Sequence, residues 1–327
     1  MDPAADTPDV PLAALRRGGL VESLHRGRYA FCDARGAVLD SGGDVEAPVW
    51  VRSSAKPFQA LPLVASGAAD ALGITDEELA GACGSHTGEE PHLAAVRSIL
   101  DKAGLSEEAL QSGAHPPLDA AAAAALARAG EVPRPIHGNC SGKHAGMLAV
   151  CVHRGWDTGS YRDPDHPLQR EILRAISLAC GIEEGEMALG GDGCGAPAFA
   201  LPLHSLATGF ARLAGGECVP EEFAGAASRI RRAMREHPFM VAGTGRLDTR
   251  LMQGSGAVCK SGAEGVFAAG LPDGRGLAVK VSDGSGRAVE PAALSLLREL
   301  GAKPLPEPET AVRDLHGAVV GSVESLV

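Results

Sequence analysis

The sequence predicts an α+β fold, with one antiparallel sheet built from both chain ends and a mostly helical central region. Two patterns carry this. Short β-type runs separated by turn residues fill about residues 20–56 and again 245–300. Capped segments of helical periodicity fill about 57–244. A third observation bears on organisation: the 327 residues hold no internal repeat, and their length permits one large domain or two interwoven ones, of which one domain over residues 1–327, with a sheet part and a helical part, is expected.

The elements follow in chain order. Residues 1–16 read as a flexible lead. Val21–His25 and Arg28–Asp33 read as a pair of strands, Asp33–Gly36 as a turn, and Ala37–Asp40 as the next strand. Ser41–Asp44 turns again before the run Pro48–Val51. Phe58, Leu61, Ala65 and Ala68 then fall on one helical face. Thr75 followed by Asp76, Glu77 and Glu78 is a capped helix start. A polar, glycine-flanked segment, Gly84–Glu90, precedes a helix at Pro91–Ala103, and Ser106-Glu-Glu repeats the helix-start pattern. Ala120–Ala125 is low in complexity but rich in the best helix former. Residues 131–147 mix small residues with possible ligands, and Met147–Val152 continues as a buried helix. Residues 167–182 form another helix. Gly190–Pro197 is a glycine-rich loop that enters an apolar helix, Phe199–Gly209, and a further helix spans Glu221–Glu236. From Leu247 the pattern returns to strands, most clearly at Gly276–Ser282. A helix at Ala288–Leu300 and an apolar run at Gly317–Val323, read as an edge strand, close the chain.

Composition excludes some functions. Net charge is −11 and no basic block stands out, which argues against nucleic acid and anionic membranes as partners. No apolar run is long enough to span a bilayer. Met1–Pro11 is acidic and proline-containing, unlike a secretory signal, so a cytoplasmic location is expected. Aromatic residues are only 3%, so core volume must come from Leu, Val and Ala. The eight cysteines, 32, 83, 140, 151, 180, 194, 218 and 259, show no dense spacing and are expected to be reduced.

The chemistry gathers around Arg52-Ser53-Ser54-Ala55-Lys56-Pro57. Ser53 and Lys56 are spaced as Ser-x-x-Lys, which in a helical turn puts the amine near the hydroxyl. A serine needs such a base at neutral pH, and a lysine serves only if burial or a neighbouring cation lowers its pKa. Pro57 biases Lys56 away from the α region, so the helix is free to start at Pro57 with both residues just outside it. Alone, the pair reads as a helix cap with a solvated lysine. Lys260-Ser261-Gly262, about 200 residues downstream, changes that weight. Ser-x-x-Lys at a helix start with Lys-[Ser/Thr]-Gly on a late strand is the paired signature of β-lactamases and penicillin-binding proteins. Ser85 lies between them, without the asparagine of their Ser-x-Asn element.

The full set of motifs resembles something closer. Arg52–Gln59, Ser85-His86-Thr87-Gly88-Glu89, His137–His144, Gly191–Pro197 and Lys260–Gly265 look like the rhizobial-type (class 3, asparaginase II) L-asparaginase family, in order along nearly the whole chain. Ser261 stands where that family commonly has threonine. The resemblance implies a serine β-lactamase/glutaminase-like fold, a homodimer, and hydrolysis of L-asparagine to aspartate and ammonia. It implies two Ser–Lys pairs, Ser53 with Lys56 and Ser85 with Lys260, with Ser53 as nucleophile, Lys56 as its base and the other pair as relay. The roles of the two serines are open to reversal. Backbone N–H groups of Ser53 and Ala263 would hold the oxyanion, and Asp192 the substrate ammonium. Arg52 and His144 would orient the substrate, although a structural hydrogen bond suits His144 equally. His86 is a weaker candidate for contact with the relay. Cys140, Lys143 and Cys194 are implied zinc (Zn2+) ligands. The residues alone read as two buried thiols and a surface lysine. Two rivals stand beside this reading: a glutaminase-like amidohydrolase, since one methylene is worth only about 1–3 kcal/mol of discrimination, and a non-catalytic amino-acid sensor.

Overall fold

A computed structural model of the chain describes residues 9–327. The chain forms two compact units. The first takes the chain up to Ser54, Ala200–Cys218 and Gly254–Val327, and the second takes Ala55–Phe199 and Val219–Gln253.

Strands in chain order are β1 (Val10–Arg17), β2 (Leu20–Asp33), β3 (Val38–Gly42), β4 (Pro48–Trp50), β5 (Ala188–Gly191), β6 (Pro197–Pro202), β7 (Val258–Ser261), β8 (Val266–Gly270), β9 (Arg275–Val281), β10 (Ala311–Arg313) and β11 (Val319–Ser325). The main sheet of the first unit runs β10-β11-β1-β2-β9-β8-β7, with β3 paired to β2. Its neighbours are antiparallel, and the first and last strands pair next to the β10 edge, with Ala13 opposite Ser325. This is the expected α+β architecture. Helix Leu203–Gly215 packs on β2, β8 and β9, and helix Gly286–Glu299 on β1, β9 and β11. All five residues of β8 are buried. Gly270 and Gly276 face each other across β8 and β9, and a side chain on either would run into the backbone of helix Leu203–Gly215.

Several expectations are corrected. Within the predicted lead, residues 1–8 lie outside the described residues, and Val10–Arg17 is a strand. Leu12, Ala13, Ala14 and Leu15 are all buried, the continuous apolar run of a strand covered on both faces. The two runs at 21–33 are one strand of 14 residues. Its first half has β1 beside it, and its second half lies between β3 and β9. Gly27 sits where they meet, and a Cβ there would lie 2.1 Å from Lys280 O. The tail strand is internal, because β10 forms the edge. Phe199–Gly209 begins as strand β6, pairing β4 through Val49 and Leu201, and turns helical only at Leu203. Pro202 explains this, since the residue before a proline avoids the α region. Leu247–Ser255 is a helix, burying Asp248, Thr249, Leu251 and Met252 along one face, so strands resume at Val258. Ser106-Glu-Glu opens only one 3-10 turn, Glu107–Ala109.

The second unit is helical. Its spine is Ser141–Arg154, buried without interruption from Ser141 to Cys151. Helices Asp76–Ala82, Glu90–Lys102 and Pro167–Cys180 pack against it. Gly142 permits the crossing with Asp76–Ala82, because a Cβ there would sit 2.4 Å from Gly81 O. The predicted face through Phe58, Leu61, Ala65 and Ala68 is divided among short helices, Lys56–Gln59, Leu61–Ala65 and Ala68–Ala71. Pro62 supplies no N–H to the helical ladder and Gly67 takes a positive φ, so Ala65 rotates out to solvent. No helix among the described residues is long and apolar enough to cross a membrane.

Candidate active site

β4 ends at Trp50, and the chain passes through one 3-10 turn, Arg52–Ala55, straight into the α-turn Lys56–Gln59. Lys56 is thus inside the helical turn despite preceding Pro57. Arg52 takes a φ of +48°, an uncommon conformation for a residue with a Cβ. Ser54 is buried with its hydroxyl on Val51 O, while Ser53 is half-buried.

In the first unit the end of β7 comes up against this turn. A side chain at Gly262 would lie 2.9 Å from Val51 O and 3.4 Å from Ser54 N, so only glycine lets the strand approach. Lys260 is buried and donates to Ser261 O at 2.7 Å, and Ala263 just beyond is exposed. The Lys-Ser-Gly element and the Ser53 turn are therefore neighbours.

In the second unit Lys56 is fully buried and its amine has three acceptors. They are Gly84 O at 2.6 Å, Ser85 Oγ at 2.8 Å and Asn139 O at 3.2 Å. Burial pushes the Lys56 amine below the ordinary lysine value and the nearby Lys143 cation adds to this, against the pull of Cys140 and Cys194. Ser85 is half-buried and its N–H donates to Val241 O. Thr87, two residues on, gives its hydroxyl to the Glu89 carboxylate at 2.5 Å, which also accepts from Thr244.

Cys140, Lys143 and Cys194 come together around the start of helix Ser141–Arg154. All three are buried, which corrects the surface reading of Lys143. The Lys143 amine donates to Cys194 Sγ at 3.1 Å. The Cys194 thiol donates to Cys140, and with Lys56 and Lys143 close by this holds the Cys140 thiol well below its usual range. Burial works against the Lys143 charge, but Cys140, Cys194 and Asp192 outweigh it and hold that amine above its ordinary value. Two sulfurs and one amine nitrogen make a soft donor set that suits zinc. Among the described residues, no group of three or more His, Cys, Asp or Glu side chains is placed to hold a metal ion.

Asp192 closes its own turn, accepting from Gly193 N–H at 2.8 Å, while its N–H donates to Ala196 O. His144 is completely buried, with Nδ1 2.6 Å from the Tyr161 hydroxyl, and its Nε2 has no hydrogen-bond partner. Burial and the neighbouring cations keep its imidazole neutral, well below the usual histidine range. Gly84 and Asn139 escaped sequence reading because they act through backbone carbonyls. Tyr161 carried no motif.

Residues 13–324 match the family described as L-asparaginase II. The chain belongs to this family. Membership in the L-asparaginase II family makes it an amide hydrolase with a small-molecule substrate. Three solved structures are similar to it. The native form of Mglu is 14% identical, over 88% of this chain and 69% of that one, with a TM-score of 0.49. A β-lactamase from Mycobacterium bovis is 15% identical, over 84% and 94%, with a TM-score of 0.41. A simvastatin synthase variant from Aspergillus terreus is 14% identical, over 84% and 93%, with a TM-score of 0.41. No curated protein sequence matches the chain.

Proposed function

We propose that the protein is an L-asparaginase that hydrolyses L-asparagine to L-aspartate and ammonia through a serine acyl-enzyme. The single observation carrying this is the buried Lys56 amine 2.8 Å from Ser85 Oγ, three residues along the chain from Ser53. Ser53 Oγ attacks the side-chain amide carbon and its proton passes to Lys56. The C–N bond breaks, and the proton reaches the leaving nitrogen through the Ser85 hydroxyl, with Lys260 as the second member of that pair. Water then attacks the ester, releasing aspartate and restoring Ser53. Backbone N–H groups of Ser53 and Ala263 hold the oxyanion. Asp192 takes the substrate ammonium, and Arg52 and His144 orient the rest. Family resemblance supports a homodimer.

Cys140, Lys143 and Cys194 would hold a zinc ion. Bound there, zinc supplies a positive charge that favours both thiolates and a deprotonated Lys143. The chain's own residues shape the pocket wall around it.

The Lys56–Ser85 bond also favours a second reading, with Ser85 as the acylated serine. Acid quenching during turnover of L-asparagine, followed by peptide mass analysis, separates the two. We expect the aspartyl adduct on the peptide holding Ser53 and its absence from Ser53→Ala, whereas an adduct on Ser85 reverses the roles. Ammonia release from L-asparagine but not L-glutamine is expected. Equal release from both would widen the substrate class, and release from neither would overturn the enzyme reading.

A further inference from the structure

The segment Gly84–Gly88 has no regular structure, yet it sets two of the three acceptors around Lys56. The third, Asn139 O, belongs to the turn that precedes helix Ser141–Arg154. The geometry at the lysine therefore depends on how these two segments are held to each other.

One side chain spans them. His86 is buried at 1% exposure. Its Nδ1 accepts from Gly88 N–H at 3.2 Å, so the ring proton sits on Nε2. Nε2 lies 2.8 Å from Ser141 Oγ, and the Ser141 hydroxyl donates to Ile136 O at 2.8 Å. The proton directions are then fixed along one line: Gly88 N–H to Nδ1, Nε2–H to Ser141 Oγ, Ser141 O–H to Ile136 O. Every capacity of the neutral ring is used. Burial, with the His92, Lys56 and His115 charges adding, holds its pKa well below the usual histidine range. The ring plane is set as well. His86 stacks on His92 with centroids 5.1 Å apart, and His92 stacks on Phe239 at 4.5 Å. His92 Nε2 donates to Phe239 O at 3.0 Å, which ties the column to the segment whose Val241 O receives Ser85 N–H.

We infer that His86 and Ser141 form a staple that positions Ser85 and the Asn139 carbonyl around the Lys56 amine. His86 is a positioning residue: it acts on the reaction through Lys56 and Ser85. The inference rests on the reading above, in which Lys56 is the base. Without the staple the two segments are free to separate by a few tenths of an ångström, and proton transfer at Lys56 slows while substrate binding does not.

The experiment compares His86→Phe, Ser141→Ala, their double variant, Ser141→Thr and Lys56→Met, each as the full chain, by steady-state ammonia release and thermal melting. His86→Phe keeps the stacked ring and removes both ring-nitrogen bonds. The expected result is that His86→Phe and Ser141→Ala each lower kcat about tenfold or more, with KM within about twofold and each variant still fully folded at the assay temperature although Tm falls by a few degrees. The double variant is expected to lose no more than either single one, and Ser141→Thr to regain most of the loss. Losses that multiply, that appear in KM, or that are accounted for by the fraction unfolded at the assay temperature overturn the staple. An inactive Lys56→Met beside fully active His86→Phe and Ser141→Ala overturns the staple and leaves the hydrolase reading standing. An active Lys56→Met overturns that reading and the staple with it.

Discussion

Lys56 carries the most chemistry per atom in this chain. An ammonium moved out of water loses much of its hydration, and here three acceptors replace it. Spacing made Ser53 the obvious companion of Lys56. The Ser85 contact joins residues 29 apart, and no local pattern encodes a distance that only packing sets. The same holds at Cys140 and Cys194, 54 residues apart, where only family resemblance pointed to a joint role. The residue-scale prediction concerns that donor set. Protein refolded with zinc and desalted should carry about one ion per chain by mass spectrometry, and Cys140→Ala and Cys194→Ala should carry well under half of that. Full loading of both variants would remove the site from these residues.

Capping was legible at the scale of elements because it is local. Thr75 accepts from Glu78 N–H, as the capped start implied, and the Glu78 carboxylate accepts from Thr75 N–H, closing a capping box. The sequence did not show that Lys102 also reaches Glu78, at 2.6 and 2.7 Å, from another helix. Burial pushes the Glu78 carboxyl up, but Lys102, Ser98 and the Thr75 N–H more than offset it and leave the pKa below the ordinary value. A depressed folded-state pKa stabilises the fold above the unfolded-state value of about 4.3, and that stability is lost as pH falls through the folded-state value. Glu78→Gln should therefore lower stability by about 1–2 kcal/mol at neutral pH. As pH falls through that folded-state value, its denaturation midpoint should approach that of the wild type. A gap that stays constant into acid would show that the charge is not what matters. Proline and glycine explain the elements read wrongly. Pro62 and Gly67 divide, and Pro202 delays, helices that hydrophobic spacing alone would run unbroken. The strand Val10–Arg17 was missed because a run buried on both faces does not alternate.

At the scale of the whole molecule, the sheet made from both chain ends was legible, since β-type runs flank a helical middle. The order of strands was not, because register depends on which edges are covered. β11 fills the place between β10 and β1, and Leu326 N–H still reaches Leu12 O at 2.9 Å. Removing residues 319–327 should leave β1 with an open edge, the kind that pairs with other chains. The truncated chain is expected to aggregate or to lose several degrees in Tm by differential scanning fluorimetry. A soluble, fully stable product would mean that β11 is dispensable.

The pairing of Ala13 with Ser325 also sets a timetable for synthesis. The strand Val10–Arg17 waits about 300 residues for its partner, on the order of tens of seconds at ordinary ribosomal speeds. The helices of the second unit leave the ribosome within that interval and need nothing from the last residues to begin packing. The first unit cannot finish its sheet until Val319–Ser325 has left the ribosome. Until then its apolar strands are the part of the newborn protein most in need of a chaperone's shelter.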